Sequence, residues 1–134
     1  MSNWIYRGKE FDPVQIEKNI GFVYIIHNLV SDKKYVGKKL FTFSKIRQVN
    51  KKKKKSRVDS DWKTYYGSND QLNLDVESLG EENFTREILH LGATKGTCNY
   101  LEAYEIMTRN AIISDNFYNS WLSVKVSRSQ VKIP

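Results

Sequence analysis

Two short segments near the N-terminus constrain the fold more strongly than any other feature of the chain. The sequences GFVYIIHNLV at 21–30 and KKYVGKKLF at 33–41 are rich in β-branched and aromatic residues, with polar residues between them. Alternate side chains of a strand face opposite sides of its sheet, and both sides of the first segment are apolar. The pair therefore predicts an antiparallel hairpin whose first strand lies inside a sheet.

The rest of the chain predicts two helices and one further strand. A helix of about three turns starts after Ser68 or Asn69 and ends at Gly80, and a longer helix covers about 97–113. The sequence NFTREILHL between them is typical of a strand. The order β-β-α-β-α predicts an α+β fold in a single domain over 1–134, with a small three-stranded, mainly antiparallel sheet flanked by helices.

Positive charge is concentrated in one stretch of the sequence. The net charge is +7, and 12 of the 22 Lys and Arg residues lie between Lys33 and Val58, where there is no acid. We expect a flexible basic loop at about 44–58 and a basic C-terminal tail, because a cationic run repels itself and attracts polyanions. Aromatic residues at 62–66 favour nucleic acid as that polyanion. A solubilising loop or a localisation signal is the alternative interpretation.

Several kinds of function lack the residues they need. No apolar run approaches the roughly 20 residues that span a bilayer, and the N-terminus does not resemble a signal peptide. The single cysteine, Cys98, is far in sequence from both histidines, which argues against a disulfide or a zinc cluster. We therefore expect a cytoplasmic protein without a membrane partner. The remaining Tyr, Lys, Arg and carboxylate side chains suit phosphate chemistry with a hard divalent cation.

Six short segments, taken in order, carry a resemblance to one family. They are GFVYII at 21–26, KKYVGKK at 33–39, YYGSNDQL at 65–72, LGEENFTREIL at 79–89, NYLEAYEI at 99–106 and YN at 118–119. The series resembles the GIY-YIG nucleases, and in particular their small phage-type, homing-endonuclease-like members. The resemblance implies a metal-dependent endonuclease that hydrolyses phosphodiester bonds of double-stranded DNA in a phage-infected bacterium. A non-catalytic nucleic-acid-binding module on the same fold is the alternative.

The resemblance also implies roles for the hairpin residues. Tyr24 would be the general base or would position the attacking water, and Tyr35 would face it across the hairpin. Gly37 would let the backbone approach the scissile phosphate. Lys38 or Lys39 would hold a phosphate oxygen or lower the pKa of Tyr24. Such help is needed because the ordinary tyrosine pKa is near 10.

A glutamate on the long helix would bind one Mg²⁺ or Mn²⁺, again as the resemblance implies. Helical periodicity leans towards Glu105, at the edge of the predicted apolar face. That face consists of Tyr100, Leu101, Tyr104, Met107 and Ala111. The family pattern, a glutamate followed four residues later by isoleucine, favours Glu102, because Ile106 stands at that spacing. We favour Glu102 as the metal ligand.

The remaining site residues follow from the same resemblance. The phosphate-clamping arginine of the family would be Arg57 or Arg47, and a lysine could replace it without the bidentate fork. We prefer Arg57, which lies just before the segment where the fold resumes. Asn119 would support the backbone around the site. The DNA would be bound by Lys39, Arg47, Lys51, Lys52, Lys53, Lys54 and Lys55.

The expected partner is double-stranded DNA, bound by a monomer or a homodimer. The predicted domain leaves no room for a separate recognition module. Recognition of a DNA sequence would therefore come from the loop, from dimerisation or from a targeting partner protein.

Overall fold

The computed structural model describes residues 3–49 and 52–133, and the side chains of 44–49 and 52–56 lie outside that description. Within these ranges it has the α+β fold that the sequence predicts. The strands are β1 (Trp4–Tyr6), β2 (Lys9–Glu10), β3 (Gly21–Asn28), β4 (Lys34–Leu40), β5 (Thr42–Val49), β6 (Lys52–Asp59) and β7 (Phe84–Gly92). The α-helices are α1 (Asp70–Leu79) and α2 (Lys95–Thr108). Short 3₁₀ turns lie at Pro13–Lys18, Trp62–Thr64, Glu81–Asn83 and Arg128–Gln130.

The main sheet has five strands in the order β2-β1-β7-β3-β4, so the predicted three strands form only part of it. The predicted hairpin is β3–β4, and β7 pairs antiparallel with β3 on its other side. The additional β1 lies parallel to β7 and turns into β2 through Arg7 and Gly8, both with positive φ. Strands of three and two residues are too short to show an alternating pattern, which is why the sequence does not reveal them.

The basic segment is a β-ribbon and not the loop predicted at about 44–58. Strands β5 and β6 pair antiparallel from Thr42 opposite Asp59 to Val49 opposite Lys52, as a separate two-stranded sheet. The five consecutive lysines hide this strand pairing in the sequence, because lysine is depleted in strands. One of them, Lys51, lies outside the described residues.

Strand β3 is buried on both faces, as its two apolar faces predict. On one face, Tyr24 and its neighbours pack with aromatic residues of β1, of the 3₁₀ turn at 62–64 and of the connections. On the other face, Val23 and Ile25 pack with Val36 of β4 and Ile106 of α2. The sheet therefore has an aromatic layer on one side and α2 on the other, and β4 is the edge strand at which the two layers meet.

Helix α1 begins and ends where the sequence predicts. The Asn69 side chain accepts a hydrogen bond from the Leu72 amide at 2.9 Å, which caps the helix. Gly80 ends it with φ of 92°, a conformation that favours glycine.

Helix α2 differs from its prediction in both bounds and buried face. It starts at Lys95, because Thr94 caps it, and it ends at Thr108 and not near residue 113. Tyr100, Tyr104 and Met107 of the predicted apolar face are exposed, whereas Glu105 is buried. The periodicity argument failed because the buried face of α2 is formed by Thr97, Cys98, Ala103, Glu105 and Ile106, and not by the aromatic residues. No helix in the described ranges is both long and apolar enough to cross a membrane.

Candidate active site

A glycine on the edge strand makes room for the first tyrosine of the predicted site. Tyr24 of β3 lies directly opposite Gly37 of β4 in the sheet register. A Cβ atom at Gly37 would lie 2.6 Å from Tyr24 Cζ and 3.0 Å from Tyr35 Cε2, well inside van der Waals contact. Gly37 therefore lets the Tyr24 ring lie across β4, which is a different function from the predicted approach of its backbone to a phosphate.

Three tyrosines form one cluster at this edge. The Tyr24 ring centroid lies 6.2 Å from that of Tyr35 and 6.0 Å from that of Tyr65, the latter in an edge-to-face arrangement. The Tyr35 hydroxyl is 3.0 Å from the Ser68 hydroxyl. Tyr24 is 1% exposed, whereas Tyr35 is half-buried and reaches the surface.

The environment of Tyr24 keeps its hydroxyl protonated. Burial raises the pKa of Tyr24 well above its ordinary value, and the nearby Tyr65, Tyr35 and Glu102 raise it further. Burial also raises the pKa of Tyr35, although the hydrogen bond with Ser68 opposes this. From the sequence we expect a neighbouring lysine to lower the pKa of Tyr24, whereas the surroundings of Tyr24 raise it. In this state Tyr24 can donate a hydrogen bond and cannot accept a proton from water.

Glu102 of α2 lies close to the tyrosine cluster from the other side of the edge strand. Its side chain is 18% exposed, and its Oε1 atom lies 3.7 Å from the Nζ atom of Lys38. Lys38 also donates a hydrogen bond to Asn99 Oδ1 at 2.5 Å. Burial raises the pKa of Glu102, and the adjacent Lys38 ammonium opposes that rise. The carboxylate is thus partly desolvated but still reachable, which is typical of functional acids.

The second candidate glutamate points elsewhere. Glu105 Oε1 lies 3.8 Å from His90 Nε2 and 3.4 Å from Arg109 NH2. These contacts hold Glu105 between β7 and the end of α2. Of the two acids, Glu102 is the one that the fold directs towards the tyrosines.

A cleft of about 490 Å³ opens where these groups meet. Its lining includes Tyr35, Lys38, Ser68, Glu102, Asn119 and Trp121. Asn119 fixes the wall of the cleft, because its side chain accepts from the Val36 amide at 3.0 Å and donates to the Val36 carbonyl at 2.8 Å. The cleft therefore presents a tyrosine hydroxyl, a cation and a carboxylate on a wall tied to the edge strand.

Other predicted site residues lie outside this cleft. Arg57 donates hydrogen bonds to the Thr42 hydroxyl at 2.9 Å and to the Thr42 carbonyl at 2.8 Å, within the ribbon. Lys39 lies 2.6 Å from Asp61 and over the Tyr65 ring, and its proximity lowers the pKa of Asp61. For Arg47 and for Lys52, Lys53, Lys54 and Lys55 the side chains lie outside the described part of the chain, as does Lys51 altogether.

One family model, described as “Putative endonuclease segE, GIY-YIG domain”, matches residues 4–122. The chain belongs to the GIY-YIG nuclease family. The match covers every strand and both α-helices, and it includes all the cleft residues named above. GIY-YIG domains of this kind are DNA endonuclease domains, which are hydrolases, and the resemblance in the sequence is thereby confirmed. Comparisons with curated proteins and with solved structures gave no match.

Some residues of this GIY-YIG site could not be recognised from the sequence. Ser68 and Tyr65 lie in the YYGS segment, so the signal was present, but the contacts of Tyr65 with Tyr24 and Lys39 were not predictable. Asn99 opens the NYLEAYEI segment, about one helical turn before Glu102, but its hydrogen bond with Lys38 was not predictable. These contacts join residues that are distant in sequence.

A buried arginine holds the backbone next to the tyrosine cluster. Arg86 of β7 is fully buried, and it donates hydrogen bonds to the carbonyls of Lys63 at 3.1 Å and Tyr65 at 2.8 Å. Its guanidinium lies over the rings of Trp4 and Tyr66, at 4.6 and 4.3 Å from their centroids. Arg86 thereby fixes the backbone that carries Tyr65. Burial lowers the pKa of Arg86, as expected for a desolvated cation.

A cation in the cleft would be held by the Glu102 carboxylate, with waters and substrate phosphates as its remaining ligands. No group of three His, Cys, Asp or Glu side chains that could hold a metal ion is found among the described residues. Glu102 supplies one carboxylate in an open polar cleft. Mg²⁺ commonly binds in this way, through one or two carboxylates, retained waters and substrate phosphates. The residues present therefore fit such an ion.

We expect Gly37→Ala to disrupt the site and destabilise the fold. The added methyl group would displace the Tyr24 ring from a fully buried position, and overpacking of this kind typically costs about 1–3 kcal/mol. Urea unfolding, followed by tryptophan fluorescence, would measure the change in the free energy of unfolding. Gly8→Ala is a poorer control because of its positive φ, so Glu77→Ala at an exposed position of α1 serves instead, with no expected change in stability. Equal stability of Gly37→Ala and wild type would contradict this packing.

Proposed function

We propose that this chain is a metal-dependent endonuclease that cleaves phosphodiester bonds of double-stranded DNA in the cleft beside Glu102. One observation carries the proposal: Tyr35 and Lys38 of β4 line the same cleft as Glu102 of α2, which is 67 residues after Tyr35 in the chain. Tyr24 is near enough for the Glu102 charge to raise its pKa. A non-catalytic fold has no need to turn a desolvated acid towards two tyrosines.

Lys38 is the proposed phosphate-binding residue. Its ammonium lies at the cleft, beside Glu102, and its side chain is partly exposed. A phosphate oxygen that replaces the contact with Asn99 would accept a hydrogen bond from the same Nζ atom. Lysine binds phosphate as a point charge, without the planar fork of arginine. This assignment supports Lys38 over Arg57, whose guanidinium is bonded within the ribbon.

Tyr24 and Tyr35 are proposed to orient the attacking water. A protonated Tyr24 donates a hydrogen bond, so it can hold the water or a phosphate oxygen in line with the bond that breaks. The water attacks phosphorus, the bond from phosphorus to the 3′ oxygen breaks, and the products are a 5′-phosphate and a 3′-hydroxyl. The attacking water gives up its proton to solvent, and the departing 3′ oxygen takes up a proton from solvent.

Glu102 would hold the divalent cation, Mg²⁺ or Mn²⁺. When bound there, the ion would neutralise the negative charge that develops on the leaving oxygen. Glu102 must be charged to bind it, and the raised pKa of Glu102 means that this requirement fails at a higher pH than for an ordinary glutamate. Cleavage should therefore fall as the pH drops towards the acid range.

The ribbon is the proposed DNA-backbone-binding element. Seven Lys and Arg residues lie in β5 and β6, the paired strands of a ribbon that leaves the main sheet directly after the edge strand β4. Contacts between such cationic side chains and the DNA backbone neutralise phosphates and carry no sequence information of their own. The setting that the resemblance suggests is the cytoplasm of a phage-infected bacterium, and any target preference would come from the ribbon, from dimerisation or from a partner protein.

A plasmid-nicking assay tests the proposed function. The chain should convert supercoiled plasmid to open-circle or linear forms with Mg²⁺, and excess EDTA should stop the conversion. DNA ligase should reseal the nicks directly, because the ends carry 5′-phosphate and 3′-hydroxyl groups. Binding without cleavage under any divalent cation would contradict the proposal and would indicate the non-catalytic module.

The affinity for DNA should depend strongly on salt. For about four phosphate contacts, affinity for a short duplex should fall by about 100-fold between 50 and 200 mM salt. Replacement of Lys52, Lys53, Lys54 and Lys55 by glutamine should weaken binding and flatten this dependence. The control is replacement of Lys9 and Lys18 by glutamine. Lys9 lies on β2, the opposite edge of the main sheet, and Lys18 lies in the 3₁₀ turn at Pro13–Lys18. This control should change neither the affinity for DNA nor its salt dependence. An unchanged salt dependence in the ribbon variant would contradict the role of the ribbon.

A further inference from the structure

One large aromatic side chain at the cleft is left open to solvent. The chain has three tryptophans, of which Trp4 and Trp62 are 3% and 6% exposed and Trp121 is 74% exposed. Trp121 lines the same cleft as Lys38 and Glu102. In the described part of the chain its indole makes no hydrogen bond and no ring contact. An exposed indole at the cleft offers a large, flat aromatic face to a ligand bound there.

The exposure of Trp121 is built into the fold. Two residues before it, Asn119 is held by its two hydrogen bonds with the Val36 backbone. One residue after it, Leu122 packs against the core cluster that contains Val36 and Ile106. The chain is thus anchored on both sides of Trp121, and the indole is presented at the cleft by a fixed backbone. A residue in a loosely attached tail would lack these anchors.

We propose that Trp121 stacks on a nucleobase next to the scissile phosphate and so positions the DNA strand in the cleft. The proposal rests on the proposed nuclease function. Lys38 and Glu102 are proposed to bind the phosphate and the cation, but neither side chain has an aromatic ring that could stack on the flat face of a base. In a duplex this face becomes accessible where a side chain inserts at a base step and partly unstacks it. Every nucleobase has such a face, so stacking there requires no particular sequence. Trp121 is therefore a positioning residue that contacts substrate.

The single exposed tryptophan allows a direct fluorescence test. Glu102→Gln would serve as the background, so that DNA binds without being cut. Titration with a short random-sequence duplex should quench the red-shifted emission of Trp121 and should protect it from iodide, while the buried Trp4 and Trp62 stay unchanged. Trp121→Phe in the same background should lose this signal, which assigns it to Trp121.

Binding and cleavage of the Trp121 variants test the role of the ring. Trp121→Leu should weaken DNA binding by about 10-fold, and Trp121→Phe, which keeps a ring, should bind within about threefold of its parent. Tyr104→Leu is the matched control, because Tyr104 is an exposed aromatic residue of α2 outside the cleft, and it should change nothing. Circular dichroism would check that each variant is folded.

The outcomes separate this inference from the function on which it rests. Cleavage by wild type, with no quenching on DNA binding or with Trp121→Leu binding as tightly as its parent, would overturn the stacking role alone. Equal weakening in Trp121→Leu and Trp121→Phe would also overturn it, because a ring would then not suffice. Failure of the wild-type chain to bind or nick DNA would overturn the proposed function and this inference together.

Discussion

Glu102→Gln should lower plasmid cleavage by about 1,000-fold while DNA affinity stays within about threefold of wild type. Glutamine keeps the size of the side chain but removes the charge that would hold the cation. Lys38 and the ribbon, which supply the proposed phosphate contacts, are unchanged. Cleavage rates on supercoiled plasmid and binding to a short duplex without divalent cation would measure the two quantities.

Glu105→Gln is the matched control for this substitution. It lies on the same helix, is similarly buried and loses its contacts with His90 and Arg109, but it does not line the cleft. We expect its cleavage rate to stay within about threefold of wild type, with a small loss of stability. Loss of cleavage in Glu105→Gln with retention in Glu102→Gln would contradict the assignment.

The same Glu102 substitution should leave the fold slightly more stable at neutral pH. Burial raises the pKa of Glu102, so the folded state binds its proton more tightly than the unfolded state does. Above the raised pKa the charged carboxylate therefore costs stability, and glutamine removes that cost. Below the ordinary glutamate pKa of about 4.3 both states are protonated and the difference should vanish. Thermal unfolding at pH 7 and at pH 3.5 would check both parts.

Tyr24→Phe should lower cleavage by about 100-fold or more with little change in stability. The substitution removes only the hydroxyl, so the ring keeps its packing with Tyr35, Tyr65 and the surface of Gly37. The free energy of unfolding should stay within about 1 kcal/mol of wild type, the usual net value of one hydrogen bond. Cleavage assays and urea unfolding of the same preparations would separate the two effects.

Tyr104→Phe is the control for Tyr24→Phe, because its hydroxyl is on the exposed face of α2 and far from the proposed chemistry. It should cleave at the wild-type rate. The pH dependence adds a second test, because the raised pKa of Tyr24 keeps it protonated through the neutral range. Cleavage should therefore level off above the Glu102 transition. Full activity of Tyr24→Phe would contradict any role for the hydroxyl.

The elements that the sequence predicted well are those with local signals. The β3–β4 hairpin follows from two apolar runs and a polar turn, and α1 from a capping Asn69 and a terminal Gly80. The burial of β3 on both faces was evident because both of its faces are apolar. In each of these cases the residues that decide the structure lie within a few positions of one another.

The elements that the sequence did not reveal depend on distant contacts. Strand β1 pairs with β7, about 80 residues away, and β2 pairs with β1. The ribbon includes the lysine-rich strand β6, whose composition disfavours strands. The buried face of α2 was misassigned because Glu105 is buried with Ala103 and Ile106 while Tyr100 and Tyr104 are exposed.

The same distinction applies to the site. The family resemblance named Tyr24, Tyr35 and Glu102, and the fold brings them to one edge of the sheet. It could not show that Gly37 accommodates the Tyr24 ring, because that contact depends on the register between two strands. Nor could it show that Arg86 supports Tyr65, since a buried arginine in a strand has no distinctive pattern.

Anomalous diffraction from crystals soaked with Mn²⁺ would test the central claim most directly, because Mn²⁺ can be located without reference to activity. We expect one strong peak in the cleft, with the ion about 2.2 Å from a Glu102 carboxylate oxygen and water on its open side. The peak should be absent from Glu102→Ala crystals and present in Glu105→Ala crystals. A peak at Glu105 and His90, with Glu102 bare in a preparation that cleaves DNA, would contradict the claim.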